Sequence, residues 1–190
     1  RNLSQAGILD QCSAVLRQVA DRTGELARLA LVDRDKLSWV MSTAGPNQQN
    51  SSLQINPTRS MRIGLHTHAS GKAWLSTLPE ARVRALLGGE LAQSTAKSLP
   101  TVESLLDDLR SVREAGFARS IEEAELGITA VAAPIRVGEL NGDLVCVGTI
   151  SVAAPVSRAD DSKLDDFGAV VKEAAGILSA RWALPSQAPN

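Results

Sequence analysis

Residues that carry nucleophilic and metal chemistry are scarce in this sequence. Its 190 residues include two histidines, His66 and His68, and two cysteines, Cys12 and Cys146. The histidines stand two residues apart, and both cannot easily serve one catalytic site. The sequence has no G-x-S-x-G motif, phosphate loop or dinucleotide fingerprint. It therefore predicts no enzymatic activity, no cofactor and no metal site.

An excess of one charge, long apolar runs and paired cysteines are also missing. The net charge is -1, which gives no hint of a nucleic-acid or membrane surface. No apolar run reaches the ~20 residues of a membrane span, and the amphipathic N-terminus does not resemble a signal peptide. Without a CxxC pair, Cys12 and Cys146 indicate a reduced, cytoplasmic protein. The length fits one domain over residues 1–190, and the start at Arg1 rather than Met suggests a fragment of a longer chain.

Hydrophobic periodicity predicts helices that alternate with β-hairpins. Helical spacing of apolar residues predicts helices over 4–21, 79–87, 101–115 and from Ser157 to about Arg181. Apolar runs predict strands over 25–33, 36–43, 117–121, 128–137 and 143–152, with turns at 34–35 and 141–142. Residues 44–52 are predicted as loop, 53–55 as a short strand and 185–190 as a frayed tail. Hairpins rather than βαβ units indicate an α+β domain, with a mostly antiparallel sheet flanked by helices.

Residues typical of helix caps predict where two of the helices begin and where one of them ends. Thr101 is a plausible N-cap for the helix predicted over 101–115. Gly116 is a strong candidate for the glycine that ends this helix. Ser157 with Asp160 resembles a capping box at the start of the last helix.

A loop that turns into a short helix at residues 65–75 is the most distinctive stretch. Thr67, Ser70 and Gly71 are small and polar, and an apolar run follows them. The first N–H groups of a helix have no partner inside it and suit a carboxylate or phosphate. Gly71 would let the backbone approach a ligand closely. The alternative is that Ser70 merely caps a surface helix.

Two hydroxyl residues, Thr129 and Ser151, lie inside otherwise apolar strands. A small-molecule pocket needs apolar walls and a few placed polar groups, and these positions suit one. Alternatively, each hydroxyl simply bonds to the backbone.

Charged residues suggest no second site. The acidic run at residues 122–125 is typical of a solvated turn, and Arg17, Arg22 and Arg28 are dispersed among acids. Because the sequence has neither a basic stripe nor a recognition helix, this fragment is not expected to bind DNA by itself.

Three motifs in the right order and spacing resemble the C-terminal effector-binding domain of IclR-family transcriptional regulators. The segment 64–73 matches the family pattern P-h-H-x-x-A-x-G-K-A, except that Gly64 replaces proline. Segments within 109–135 match a helix ending in I-R-x-x-G-Y/F and the following E-E-x-x-G-h-x-x-h-A-A-P-I. Residues 150–158 match h-S-V-x-G-P-x-x-R, with Ala154 where glycine is usual. The resemblance spans almost the entire chain.

This resemblance implies a GAF-like fold, in which an antiparallel sheet has helices on both sides and a ligand cavity on one face. It also implies a winged helix-turn-helix DNA-binding domain before Arg1. In relatives the effector is held at a helix start, a strand pair and the last strand. The matching residues here are Ala69, Ser70 and Gly71; Ser120, Ile128 and Ala130; and Ser151 and Ala153. Some relatives carry an acid at the Ser120 position and a serine at the Ala153 position, so this ligand is expected to differ from theirs in size and polarity.

Apolar walls around the ligand are expected from Ile63 and Trp74, with Leu65 and Ile128 beside them. The expected function is therefore that of the ligand-sensing half of a bacterial-type transcriptional regulator. Its expected partners are a small anionic or polar metabolite and, through the N-terminal domain only, DNA; no membrane partner is expected. The alternative is a stand-alone GAF-like sensor or enzyme, such as a small reductase.

The last predicted helix carries a narrow apolar stripe formed by Leu164, Phe167, Val171, Ala174 and Leu178. Such a stripe is typical of a seam between helices of two subunits. It could equally cover the sheet of its own chain. A homodimer or homotetramer is expected, mainly from the resemblance.

Overall fold

Five strands and six α-helices make up the part of the chain that the computed structural model describes, residues 2–50, 63–138 and 142–183. The strands are β1 (Leu26–Asp33), β2 (Lys36–Ala44), β3 (Ala118–Ile121), β4 (Ile128–Gly138) and β5 (Leu144–Pro155). The helices are α1 (Asn2–Thr23), α2 (Pro46–Asn50), α3 (Ala69–Leu75), α4 (Glu80–Leu87), α5 (Val102–Ala115) and α6 (Asp161–Ala183). All neighbouring strands are antiparallel in the order β2-β1-β5-β4-β3, so the predicted α+β class with an antiparallel sheet is confirmed.

The long helices α1 and α6 cover one face of the sheet. Side chains of α1, α6 and alternate positions of β1, β4 and β5 form one large buried cluster. The α6 stripe belongs to this cluster: all five of its residues are buried within the single chain. The stripe therefore covers the sheet of its own chain and is not exposed to form a seam between subunits.

The opposite face of the sheet is covered by the short helix α3, with α5 packed behind it. Residues of α5 at helical spacing, including Leu105, Leu106 and Leu109, form a second buried cluster with Leu75 and Val83. The two faces thus differ in kind, because one carries two long helices and the other a helix of seven residues.

Capping residues are found at both ends of α5, as the sequence predicts. Thr101 accepts a hydrogen bond from the Ser104 N–H and forms a capping box with it, and Gly116 ends the helix in the left-handed region at a φ of 81°. The prediction for α6 is wrong in detail. Asp160 Oδ1 accepts the Lys163 N–H at 2.9 Å, whereas Ser157 lies in a separate 3-10 turn over Val156–Arg158.

The predicted loop over 44–52 is also wrong in part, because it contains α2. The Asn47 and Gln48 N–H groups donate to the carbonyl of Gly24, at 2.8 and 3.2 Å. This contact is distant in sequence, so local composition could not reveal it. The predictions for residues 53–55, Asn141 and 185–190 lie outside the described residues.

Candidate functional site

Helix α3 is buried along its whole length. All seven of its residues are buried, and the helix packs on strands β3, β4 and β5. Ala69 packs against Ala132 of β4, and Trp74 packs in a cluster with Ala30 of β1. The interpretation of this stretch as a surface helix is therefore wrong.

Ser70 lies in the first turn of α3 and does not cap it. The N-cap is His68, whose side chain makes no capping bond. The Ser70 Oγ is buried and has no hydrogen-bond partner among the described residues. Ser70 shares a helical face with Trp74, four residues later. A buried hydroxyl without a partner costs about 1–3 kcal/mol, and a bound ligand would supply one.

Gly71 has a structural role that involves no ligand. A Cβ at this position would lie 2.4 Å from the Leu65 carbonyl oxygen and 2.5 Å from the Leu65 Cα. The close approach predicted from this glycine is therefore made by the backbone of the preceding loop.

Three of the predicted site residues form one row across the sheet beneath α3. Ser120 of β3 lies beside Ala130 of β4, which lies beside Ala153 of β5. Two residues before Ala153, Ser151 is buried beside Arg28 of β1. The structure thus brings the predicted strand residues onto the face that carries Ser70.

The predicted apolar residues lie in two groups on this face. Ile128 and Ala130 pack with Ala153 and Leu26 at one end. Ile63 and Trp74 pack in the cluster around Ala30, toward the other end.

Two of the hydroxyls predicted from the sequence are already bonded to the backbone. The Ser120 Oγ donates to the Thr67 carbonyl at 2.6 Å and so ties β3 to the loop before α3. The Thr129 Oγ1 donates to the Ser120 carbonyl at 3.2 Å. For Thr129 this confirms the alternative of a satisfied hydroxyl. Ser120 can still accept a hydrogen bond but has no second proton to donate.

Arg28 is a candidate site residue that the sequence pattern did not reveal. It is buried, with 7% of its surface exposed, and its guanidinium carbon lies 4.9 Å from the centre of the Trp39 ring. Among the described residues, its Nε has no hydrogen-bond partner. Burial lowers the pKa of Arg28, and the charge of Glu125 opposes that shift.

Two further buried polar atoms on the same side of the sheet lack described partners. They are the Thr149 Oγ1 and the Trp39 Nε1. Thr149 precedes Ser151 by two residues in β5, so both side chains point to the same face. Like the Ser70 Oγ and the Arg28 Nε, these atoms are buried and have no described hydrogen-bond partner.

His68 is held as a neutral base beside this group. Its Nδ1 accepts the Gly64 N–H at 3.1 Å, so the ring proton is assigned to Nε2. Burial, followed by the positive charge of Arg28, lowers the pKa of His68 to about 4. His66 is held elsewhere, with its Nε2 at 2.6 Å from the Ala92 carbonyl oxygen.

Lys72 joins α3 by ion pairs to α5 and to the β3–β4 turn. It is 1% exposed, and its Nζ lies 3.0 Å from both Glu123 Oε1 and Asp108 Oδ2. Burial is the main cause that raises the pKa of Glu123, with Lys72 opposing it and Asp108 adding to it. The interpretation of residues 122–125 as a solvated turn is therefore wrong at Glu123, whose side chain is 12% exposed.

Among the described residues, no group of three or more His, Cys, Asp or Glu side chains could hold a metal ion. Within the same ranges, no helix combines the length and apolarity that a membrane crossing requires.

A family model described as bacterial transcriptional regulator IclR C-terminal matches residues 1–180. The chain belongs to the IclR family. It is the C-terminal domain of such a regulator, as the sequence motifs suggested. The HTH-type transcriptional regulator XynR of Escherichia coli is 28% identical over 172 residues, which cover 90% of this chain and 65% of XynR. The chain therefore spans less than two thirds of that relative, which is named as a regulator and not as an enzyme.

Solved structures share this fold. The IclR protein of Thermotoga maritima superposes with a TM-score of 0.80 at 26% identity, over 93% of this chain and 69% of that one. The inducer-binding domain of PobR from Acinetobacter, solved as a double mutant with 3-hydroxy benzoic acid, gives a TM-score of 0.74 at 20% identity. That alignment covers 90% of this chain and 96% of the PobR domain, and at this identity it shows the fold alone.

Proposed function

We propose that this IclR-family domain senses a small anionic or polar metabolite that binds between α3 and the sheet. The observation that carries the proposal is the Ser70 hydroxyl, which is buried without a described partner on the face that also holds Ser151. Ligand sites combine apolar walls with a few convergent polar groups, and this face has both. The 3-hydroxy benzoic acid in the complex with the PobR double mutant is of the size and polarity that we propose here.

In this proposal the head group of the ligand lies at the start of α3. The first intrahelical bond there runs from the Lys72 N–H to the His68 carbonyl at 3.0 Å, and the N–H groups of Ala69, Ser70 and Gly71 precede it. The hydroxyls of Ser70 and Ser151 converge on the same head group. The body of the ligand contacts the two apolar groups described above. These walls are formed by Ile63, Trp74, Ile128, Ala130 and Ala153, with the Ser120 oxygen as an acceptor at the rim.

The rest of the regulator follows from the family. We infer a winged helix-turn-helix domain before this one, which alone contacts DNA, and a cytoplasmic homodimer or homotetramer whose DNA affinity the metabolite changes. Because the α6 stripe is buried in its own chain, the subunit contact uses another surface. The free, buried Cys12 and Cys146 suit a reducing compartment.

Ligand-dependent stabilisation tests the proposal. A ligand that binds only the native state at a hundred times its Kd raises stability by about 2.7 kcal/mol, so thermal shift with a panel of small acids, amides and alcohols should identify candidates. Ser70→Ala and Ser151→Ala should each weaken binding of a positive compound by about tenfold to a hundredfold, because each removes one hydrogen bond to a charged group.

The exposed Ser38 of β2 provides the matched control. It lies between Leu37 and Trp39, which pack with Trp74, so its side chain points to the other face of the sheet. Ser38→Ala should therefore leave affinity unchanged. Unchanged affinity in both site variants, with a compound that calorimetry shows to bind, would mean that the ligand lies elsewhere on the chain.

A further inference from the structure

The connection between α4 and α5, residues 88–100, is a segment without helix or strand that we call the strap. Of its residues only Ser98 is buried. Its larger apolar side chains, Leu91 and Leu99, are half-buried near its two ends and pack with the cluster formed by α4 and α5. The ends of the strap are therefore anchored by apolar packing, whereas its middle, residues 92–98, contacts other parts of the chain through polar groups.

Polar contacts from the strap reach both segments that flank the start of α3. In the loop before α3, the His66 Nε2 lies 2.6 Å from the Ala92 carbonyl oxygen and donates to it, because a carbonyl can only accept. In the β3–β4 turn, the Glu123 carbonyl accepts the Ser98 hydroxyl at 2.7 Å. The strap thus joins the loop before α3 to the turn that follows β3.

Ser98 also holds the strap in its own conformation. Its Oγ accepts the Ser94 and Thr95 N–H groups, at 3.1 and 3.0 Å. The turned strap then places the Thr95 hydroxyl 2.6 Å from the Glu122 carbonyl oxygen, to which it donates, and Lys97 forms an ion pair with the Glu122 side chain. The contact between strap and turn therefore depends on a few hydrogen bonds and one exposed ion pair.

Helix α3 is held differently at its two ends. Its first residues, 69–71, have small side chains that bury little apolar surface, whereas Trp74 and Leu75 at its end pack into two separate clusters. Lys72 binds Glu123 at 3.0 Å, so the start of α3 is tied to the same turn that the strap contacts. The start of α3 thus depends largely on polar contacts and its end on apolar ones.

We propose that the strap is a latch, and that its local release opens the site beneath α3 to small molecules. This inference rests on the proposed function, to which it adds how a ligand enters. Ser70 is 1% exposed, so a molecule reaches it only when its surroundings move. Segments with few buried apolar contacts open at a lower free energy than the core. Gly88 and Gly89 supply a hinge, because a Cβ at either position would meet no described atom within 4 Å.

Labelling of a buried thiol measures this opening in the intact chain without any effector. Ser70→Cys places a thiol of similar size in the first turn of α3. Methyl methanethiosulfonate, a small thiol reagent, modifies it only while the site is open. Cys12 is the internal reference, because it is buried against the opposite face of the sheet. Mass spectrometry of peptides follows both thiols in one sample.

The introduced thiol should react faster than Cys12. Low urea should leave its rate nearly unchanged, because a local opening exposes little surface, and should raise the rate at Cys12. Adding Ser98→Ala should raise the rate at the introduced thiol about tenfold, the equivalent of one lost hydrogen bond. Thr95→Val, which keeps the size of the side chain, should act in the same direction. Ser94→Ala removes an exposed hydroxyl from the same strap and is the matched control, with no effect expected.

Val171→Ala separates release of the strap from a general loss of stability. Val171 is fully buried in α6, on the face that holds Cys12. Its truncation should speed labelling of Cys12 and leave the introduced thiol unchanged. Acceleration of both thiols by Val171→Ala would mean that position 70 is exposed only by general unfolding, and the latch would be wrong.

The other outcomes are equally decisive. Equal rates for the two thiols in the Ser70→Cys chain would exclude a local opening. If Ser98→Ala leaves the introduced thiol at its original rate, or if Ser94→Ala accelerates it as much, the strap is not the latch. These results require no metabolite, so a failed metabolite screen would count against the proposed function and leave the latch intact.

Discussion

Replacing Lys72 with methionine should destabilise the fold by about 3 kcal/mol. Methionine keeps most of the volume of the side chain but leaves the carboxylates of Glu123 and Asp108 without their cation. Removal of one partner from a buried ion pair costs about 3–5 kcal/mol. We take the lower end of that range because the Asp108 side chain is 34% exposed and remains partly solvated.

Urea unfolding measures this loss in the free energy of unfolding directly. For a chain of this size, a loss of about 3 kcal/mol corresponds to a fall in Tm of about 6–12 °C. The loss should depend on pH. Burial raises the pKa of Glu123 above its unfolded value, and removal of Lys72 takes away the charge that opposes this shift. A folded state that binds more protons than the unfolded chain gains stability as pH falls, so the deficit should shrink between neutral pH and about pH 5.

Two further variants separate the buried ion cluster from a general effect of charge. Lys97→Met removes a lysine that is 54% exposed and pairs with Glu122, the residue before Glu123. This substitution should lower the free energy of unfolding by less than about 1 kcal/mol. Adding Glu123→Gln to Lys72→Met should restore part of the stability. Equal deficits for the two lysine variants, or a Lys72→Met deficit that is constant with pH, would refute this account of the cluster.

Most of the sheet and its helices could be predicted from the sequence, because their signals are local. Strand alternation, the helical spacing of α5 and the capping residues Thr101 and Gly116 each act within a few residues. The failures have distant causes. Helix α2 depends on the Gly24 carbonyl, which accepts its first N–H groups.

The candidate site shows the same limit on prediction. Ser70 and Ser151 stood out as polar residues within or next to apolar runs. The same rule applies to Thr149 and to Arg28, because a charged residue within the apolar run of β1 must find a partner when that strand is buried on both faces. In the sequence alone, Arg28 is one of several dispersed charges. Only the register between β1 and β5 shows that it lies beside Ser151.

Three other outcomes are expected. Gly71→Ala should lower the free energy of unfolding by about 1–3 kcal/mol in urea, because the new Cβ meets the Leu65 backbone at 2.4 Å. Gly89→Ala is the control and should cost little, because no atom lies within 4 Å of its new Cβ. Similar costs for the two variants would contradict the packing argument. The isolated chain, with a net charge of -1, should show no sequence-selective, salt-sensitive shift of operator DNA in gels. The last outcome concerns His68, whose pKa falls from 6.5 to about 4 through burial, the charge of Arg28 and a smaller effect of His66. Because the unfolded chain takes up a proton near pH 6.5 and the native state does so only near pH 4, stability should be complete above about pH 7 and should fall by up to about 3 kcal/mol toward pH 4. His68→Asn, whose oxygen can still accept the Gly64 N–H, should remove this dependence. A His68 NMR titration with a midpoint near 6.5 in the free protein would refute both the burial of the ring and its coupling to Arg28.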